Sequence, residues 1–210
     1  MLEITLILIA IASYLIGSIS SAIIIGKIIG NDDIRTHGSG NAGATNALRT
    51  YGKLAAIFVV VGDCLKSAIS CIIAIILANV LGLGEKDSSL LVYAAGIGAV
   101  LGHNFPLYFG FKGGKGILVS ITALIFANWI IGVIILIFSI VLIAITKYVS
   151  LGSVVGSSLF IILPIIFCRD NPAYIVFAVI LATLAIYRHR ENIVRLFKGT
   201  ERKITDKKEG

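Results

Sequence analysis

The sequence predicts an all-α, polytopic integral membrane protein of about seven transmembrane helices, with its N-terminus outside and its C-terminus in the cytoplasm. Three observations predict it. Apolar residues make up 58% of the 210 and charged residues only 14%, where a soluble domain lies nearer half and a quarter. Apolar runs of spanning length recur along the whole chain, which has a mean hydropathy of +1.01. The basic residues gather in alternate connections. No loop is long enough for a soluble domain, so residues 1–210 are read as one membrane domain.

The spans follow in order. The first covers about 4–29; Met1-Leu-Glu3 has no basic n-region and the apolar stretch exceeds a signal-peptide core, so it is read as uncleaved. The second covers about 53–81 and carries Asp63 and Lys66; the third covers about 89–109. From Gly116 to Thr146 a single helix would be about 45 Å long against a hydrocarbon core of about 30 Å. Asn128-Trp129 near its middle suggests a reversal, giving spans of about 113–127 and 129–147. The sixth covers about 151–168, Arg169-Asp-Asn-Pro172 breaks the chain, and the seventh covers about 172–188 before a basic tail, 189–210. Around Asn192–Lys203 the tail sets Ile193, Leu196 and Phe197 on one side, as an interfacial helix would.

Charge orients these spans. With the N-terminus outside, Lys86 and Arg169 lie outside and Lys66 lies within the second span. The remaining fifteen of the eighteen basic residues, Lys207 and Lys208 among them, are then cytoplasmic. The net charge of +7 is accounted for by orientation and anionic headgroups rather than nucleic acid. Cys64, Cys71 and Cys168 sit in apolar segments without metal-ligand spacing and are read as structural thiols. Gly26…Gly30, Gly98…Gly102 and Gly152…Gly156 are small-xxx-small pairs that admit close helix packing.

Three polar patches then fall on the cytoplasmic side: His37-Gly-Ser-Gly-Asn-Ala-Gly-Ala-Thr-Asn46, Phe111-Lys-Gly-Gly-Lys-Gly116, and His189-Arg-Glu-Asn192 with Arg195. Exposed glycine N–H groups beside Ser, Asn, Lys and Arg favour a phosphate. The first patch contains G-x-G-x-x-G, but the dinucleotide fingerprint requires a preceding strand and here a membrane helix precedes it. The second is not a Walker A motif: its first glycine and its Ser/Thr would fall on Phe109 and Gly116. Ser150-Leu-Gly-Ser153 reads as a helix cap or as an N-terminus aimed at an anion. His189 and Asn192, at i and i+3, share a helix face, and so do Asp63 and Lys66, whose default reading is mutual neutralisation.

Taken together, Gly38-Ser-Gly-Asn-Ala-Gly-Ala-Thr-Asn46 with Arg49, Gly102-His-Asn-Phe-Pro106 with Phe111-Lys-Gly-Gly-Lys-Gly116, and His189-x-x-Asn192-x-x-Arg195-Leu196 with Gly199-x-Glu201 resemble the bacterial acyl-phosphate:glycerol-3-phosphate acyltransferase family over essentially the whole chain. The resemblance implies a seven-span enzyme of the bacterial inner membrane with its active site facing the cytoplasm. It would transfer a fatty acyl group from acyl phosphate to the sn-1 hydroxyl of glycerol 3-phosphate. The products would be lysophosphatidic acid and phosphate, in phospholipid synthesis. Ser39, Arg49, Lys115 and Ser153 (or Gly152 in its place) would bind phosphate, with Gly40, Asn41, Thr45, Asn46, Lys112, Gly113 and Gly114 completing the cradle. His189 and Asn192 would act on glycerol 3-phosphate, and His103 and Glu201 would be structural, Glu201 orienting a basic neighbour. No cofactor or metal is implied, and neither coenzyme A nor acyl-carrier protein would donate directly.

The residues agree with that chemistry. His37, His103 and His189 are followed five places on by Ala42, Tyr108 and Val194, so the His-x-x-x-x-Asp motif of the other main acyltransferase class is absent. No activated nucleophile is evident. An acyl phosphate is already activated, so positioning and charge stabilisation suffice. The donor's own phosphate would take the hydroxyl proton, with His189 as the rival base. The alternative class is an anion or glycerol-phosphate transporter using Asp63 and Lys66 at mid-membrane; the clustering of the motifs at one face favours the enzyme.

Overall fold

A computed structural model describes residues 1–206, and all regular elements within them are helical. Ten α-helices follow in order: α1 Leu2–Gly17, α2 Ser21–Ile29, α3 Ala44–Tyr51, α4 Lys53–Val80, α5 Glu85–Asn104, α6 Ile117–Ala127, α7 Trp129–Thr146, α8 Val149–Phe167, α9 Pro172–Arg188 and α10 Arg190–Phe197. Lys207 and Lys208, expected in the cytoplasmic tail, lie outside the described residues.

The helices are sorted inside out relative to a soluble bundle. α4 buries Ala55, Val59, Ser67, Ser70, Cys71 and Ala74 while Ile57, Phe58, Leu65, Ile69 and Ile76 face outward. Ile134, Ile137, Ile140 and Val141 of α7 are likewise exposed. An apolar surface this continuous on 18- to 28-residue segments suits hydrocarbon, not water. Among the described residues, five segments are long and apolar enough to cross a bilayer, and a sixth if α9 and α10, bent by 59°, count as one. The exception among the expected spans is α6. Its 11 residues reach about 16 Å, and it starts at Ile117 rather than near 113. Gly113, Gly114 and Gly116 are poor helix formers and leave that stretch as loop.

Two expected spans are also interrupted. The first breaks between Gly17 and Ser21, where the Ser20 side chain accepts from the Ile23 N–H at 3.4 Å and so restarts the helix. The break frees the Ile19 carbonyl, which receives Lys66 Nζ at 3.2 Å. The third leaves α-helix at Asn104, because Pro106 supplies no N–H and restricts Phe105. The reversal at Asn128 is a single residue, whose side-chain oxygen caps α7 by accepting from Ile131 N–H at 3.2 Å.

Two of the three glycine pairs mark helix crossings. Gly98 and Gly102 set α5 directly on the α1 backbone at Ala10 and Tyr14, and Gly152 and Gly156 set α8 on Ser139 and Ile143 of α7. Gly26 and Gly30 instead face the loop after α2, at Asp32 and Ile34, and the Tyr51 ring. The core between α5, α6, α8 and α9 is filled by Leu91, Val100, Leu124, Phe160, Phe177 and Leu181.

Candidate active site

A cavity of about 580 Å³ lies where the three polar patches meet. The first turns of α3, α6 and α8 all contribute to its wall, through Ala44 and Thr45, Ile117 and Leu118, and Val149 and Ser150. None of these three helices has a side-chain cap. By contrast α2, α7 and α9 are capped by Ser20, Asn128 and Asn171, whose residues do not line the cavity. Helix N-termini carry unsatisfied N–H groups and partial positive charge, so three uncapped ones around one space make it receptive to anions. Ser150 does not cap α8; Tyr148 holds that position.

The first loop is shaped from within. Asn46, expected at the phosphate, does line the cavity, but its amide spans the loop. Nδ2 donates to the Ile34 and His37 carbonyls at 3.1 and 3.0 Å, and Oδ1 accepts from Ser39 N–H at 3.1 Å. Gly38 and Gly40 have φ of +56° and +68°, which only glycine adopts at low cost. Outside the loop, Asp32 accepts from Tyr51 Oη and pairs with His37 Nε2. These two hydrogen bonds, Tyr51 first, hold the Asp32 carboxyl below its usual range, and burial with the Asp32 bond pushes the Tyr51 phenol up to about 12. Ser39, Asn41, Thr45 and Arg49 line the cavity; Gly40 does not.

Lys115 enters from the second loop. Its Nζ donates to Asn192 Oδ1; Asn192 Nδ2 donates to Glu201 Oε1 at 2.7 Å, and Arg195 Nε to Glu201 Oε2 at 2.8 Å. Burial brings Lys115 down to about 8. Burial alone would raise Glu201, but the hydrogen bonds from Arg195 and Asn192 hold it below its usual value. His189 caps the junction of α9 and α10. Its Nδ1 lies 2.8 Å from the Ala185 carbonyl, so Nδ1 carries the proton and Nε2 is an acceptor. Burial, then the Lys115 charge, lowers it to about 4, and the ring is neutral near pH 7. Lys112, Gly113 and Gly114 do not line the cavity.

The remaining wall is mixed. Ser153 faces the cavity and donates Oγ–H to the Val149 carbonyl at 2.9 Å, whereas Gly152 is turned onto α7. Arg49 Nη2 donates to the Arg202 and Lys203 carbonyls at 3.1 and 3.3 Å, drawing the tail across the opening. Asp63 and Lys66 pair at 2.9 Å, and Lys66 Nζ also meets His103 Nδ1 at 2.7 Å; Asp63 and His103 reach the cavity floor. Val60, Ile117, Leu118 and Ile143 give the space an apolar side.

Between residues 7 and 199 the chain matches the family model described as Glycerol-3-phosphate acyltransferase. The chain belongs to the glycerol-3-phosphate acyltransferase family. Curated relatives of that name include one from Clostridioides difficile (strain 630), 46% identical over 97% of each chain. Another, from Thermoanaerobacter sp. (strain X514), is 44% identical over 97% of this chain and 98% of its own. Among solved structures, the glycerol 3-phosphate form of PlsY, an integral membrane glycerol 3-phosphate acyltransferase, matches with a TM-score of 0.81 at 35% identity over 94% of each chain. Its lysophosphatidic acid form matches with a TM-score of 0.78 at 34% identity. With its apolar helices, this makes the chain a multi-pass integral membrane protein.

Sequence reasoning missed two residues of this acyltransferase fold, Arg35 and Arg188, which it counted only as orienting charges. Arg35 holds the Lys112 carbonyl of the second loop and Arg188 the Gly113 and Gly114 carbonyls. The available signal was the loop itself: its carbonyls lie outside any helix and require donors.

Proposed function

We propose that this member of the glycerol-3-phosphate acyltransferase family takes its acyl group from acyl phosphate and passes it to the sn-1 hydroxyl of glycerol 3-phosphate. The reading rests on one observation: Lys115 and three uncapped helix N-termini surround a cavity whose other side is apolar. Two phosphates and one acyl chain need such a space. Ser39, Arg49, Lys115 and Ser153 hold phosphate, with the α3 and α6 N-termini adding N–H donors. Asn192, fixed by Glu201, and His189, fixed by Ala185, position the acceptor.

The sn-1 oxygen attacks the acyl carbonyl carbon, the bond from that carbon to the phosphate oxygen breaks, and the hydroxyl proton passes to the leaving phosphate. His189 Nε2 accepts the hydroxyl hydrogen bond and orients the attack. An imidazole lowered to about 4 holds a proton poorly, whereas a phosphate dianion takes a proton at about pH 6. The donor therefore serves as the base. The seven-span topology has the cavity and the basic tail in the cytoplasm, supported by the basic residues gathered at the cavity end. Neither acyl-CoA nor acyl-carrier protein is a direct donor.

The test is phosphate release from palmitoyl phosphate by purified protein in lipid vesicles, with and without glycerol 3-phosphate. Acceptor-dependent release with lysophosphatidic acid formed is expected, and Lys115→Ala should lower kcat/KM by about 10²–10³-fold. Equal turnover with palmitoyl-CoA would refute the donor assignment. Absence of acceptor-dependent turnover in folded protein would refute the reaction and direct attention to uptake of glycerol 3-phosphate.

A further inference from the structure

Two arginines outside the cavity grip the loop that carries Lys115. Arg35 Nη1 donates to the Phe109 carbonyl at 2.7 Å and the Lys112 carbonyl at 3.0 Å. Its Nε and Nη2 are held by the Asp33 carboxylate at 3.0 and 2.7 Å, which fixes the plane of the guanidinium. From the other side Arg188 donates Nε to the Gly114 carbonyl at 3.0 Å and Nη2 to the Gly113 carbonyl at 2.9 Å, with its guanidinium 5.4 Å from the centre of the Phe105 ring. Four carbonyls within six residues are thus turned toward cations and away from the cavity.

The loop needs such support. Phe111 has φ of +59°, a conformation that costs a non-glycine residue about 1–3 kcal/mol and persists only when its surroundings enforce it. Gly113 and Gly114 lie against the His103 carbonyl and the His103 ring, so the segment is pressed between α5 and the two guanidiniums. A carbonyl rotated into an anion site would present negative charge to the substrate and withdraw an N–H donor.

We propose that Arg35 and Arg188 are positioning residues for acyl transfer. They hold the carbonyls of 109–114 outward, so that Lys115 and the N-terminus of α6 face the phosphate. The inference rests on the function proposed above for Lys115. Arg188 reaches two carbonyls through the fork of Nε and Nη2, and Arg35 bridges two through Nη1 while Asp33 holds its Nε and Nη2; a lysine ammonium, a single point charge, reproduces neither arrangement.

The experiment measures acceptor-dependent lysophosphatidic acid formation in vesicles for wild type, Arg188→Ala, Arg188→Lys and Arg35→Ala. Ethylguanidinium is added to each, and a melting curve is recorded beside each assay. An inactive wild type refutes the function and not the clamp. With an active wild type, the clamp predicts a KM for glycerol 3-phosphate raised at least tenfold in Arg188→Ala, a larger change than in kcat. It also predicts no recovery in Arg188→Lys and partial recovery with ethylguanidinium. Arg35→Ala should show the same KM shift. Wild-type kinetics in the alanine variants, or full activity in Arg188→Lys, overturns the proposal. So does a loss that tracks a lowered melting temperature and is not recovered by ethylguanidinium. Should Arg188→Ala fail to fold, Arg188→Lys and Arg35→Ala decide the matter by the same criteria.

Discussion

At the scale of single residues, the site depends on groups whose ordinary chemistry has been altered by place. Lys115 is brought down to about 8 by burial, so its charge is present below that pH and is lost as pH rises through it. We expect kcat/KM for glycerol 3-phosphate to fall above about pH 8. In Lys115→Arg, which stays charged, that limb should vanish from a profile taken between about pH 6 and 9.5; a limb that persists in the variant assigns the titration elsewhere. Asn46 is a residue of another kind, since its amide ties two carbonyls and one N–H of the first loop. Asn46→Ala should cost about 1–3 kcal/mol, read as a lowered melting temperature, because buried partners lose their bonds. Most of the residues that meet at the cavity were legible in the sequence as polar interruptions of apolar runs. Asn46 was legible as a member of the loop but not as its internal tie. Only the fold shows that its partners are Ile34 and His37 carbonyls rather than a ligand.

Elements add a second layer. Helix existence followed from apolar runs, and the Asn128 reversal followed from length against bilayer thickness. The break at Ser18–Ser20 was not legible, because nothing local forbids a helix there. It is held partly by tertiary partners: Lys66 of α4 meets the Ile19 carbonyl, and the Leu107 N–H donates to Ser18 Oγ. Lys66→Met should therefore destabilise strongly, by about 3–5 kcal/mol, since it strands the Asp63 charge. Asp63→Asn combined with Lys66→Met should recover part of the loss; a double variant no better than the single would show that the charge is not the cause. Crossings obey similar logic. A Cβ at Gly102 would collide with the α1 backbone, whereas at Gly84 it meets nothing within 4 Å. Gly102→Ala should lower the melting temperature and Gly84→Ala should leave it unchanged.

The whole molecule is organised by two solvents. If the proposed orientation holds, cysteines introduced at position 86, in the first turn of α5, and at position 198, after α10, lie on opposite sides of the membrane. In a chain with Cys64, Cys71 and Cys168 replaced, an impermeant thiol reagent on intact cells should label position 86 alone. Labelling of position 198 instead would invert the topology. The outward Ile, Leu and Phe of α4 and α7 face the lipid, while Ala, Ser and Gly sit where helices cross most closely and a second set of large apolar residues fills the core. Shape and solubility are thereby written in separate sets of side chains. Repainting the outer set with polar residues would convert the bundle toward a water-soluble protein while leaving every helix crossing, and the chemistry between the helices, in its original alphabet.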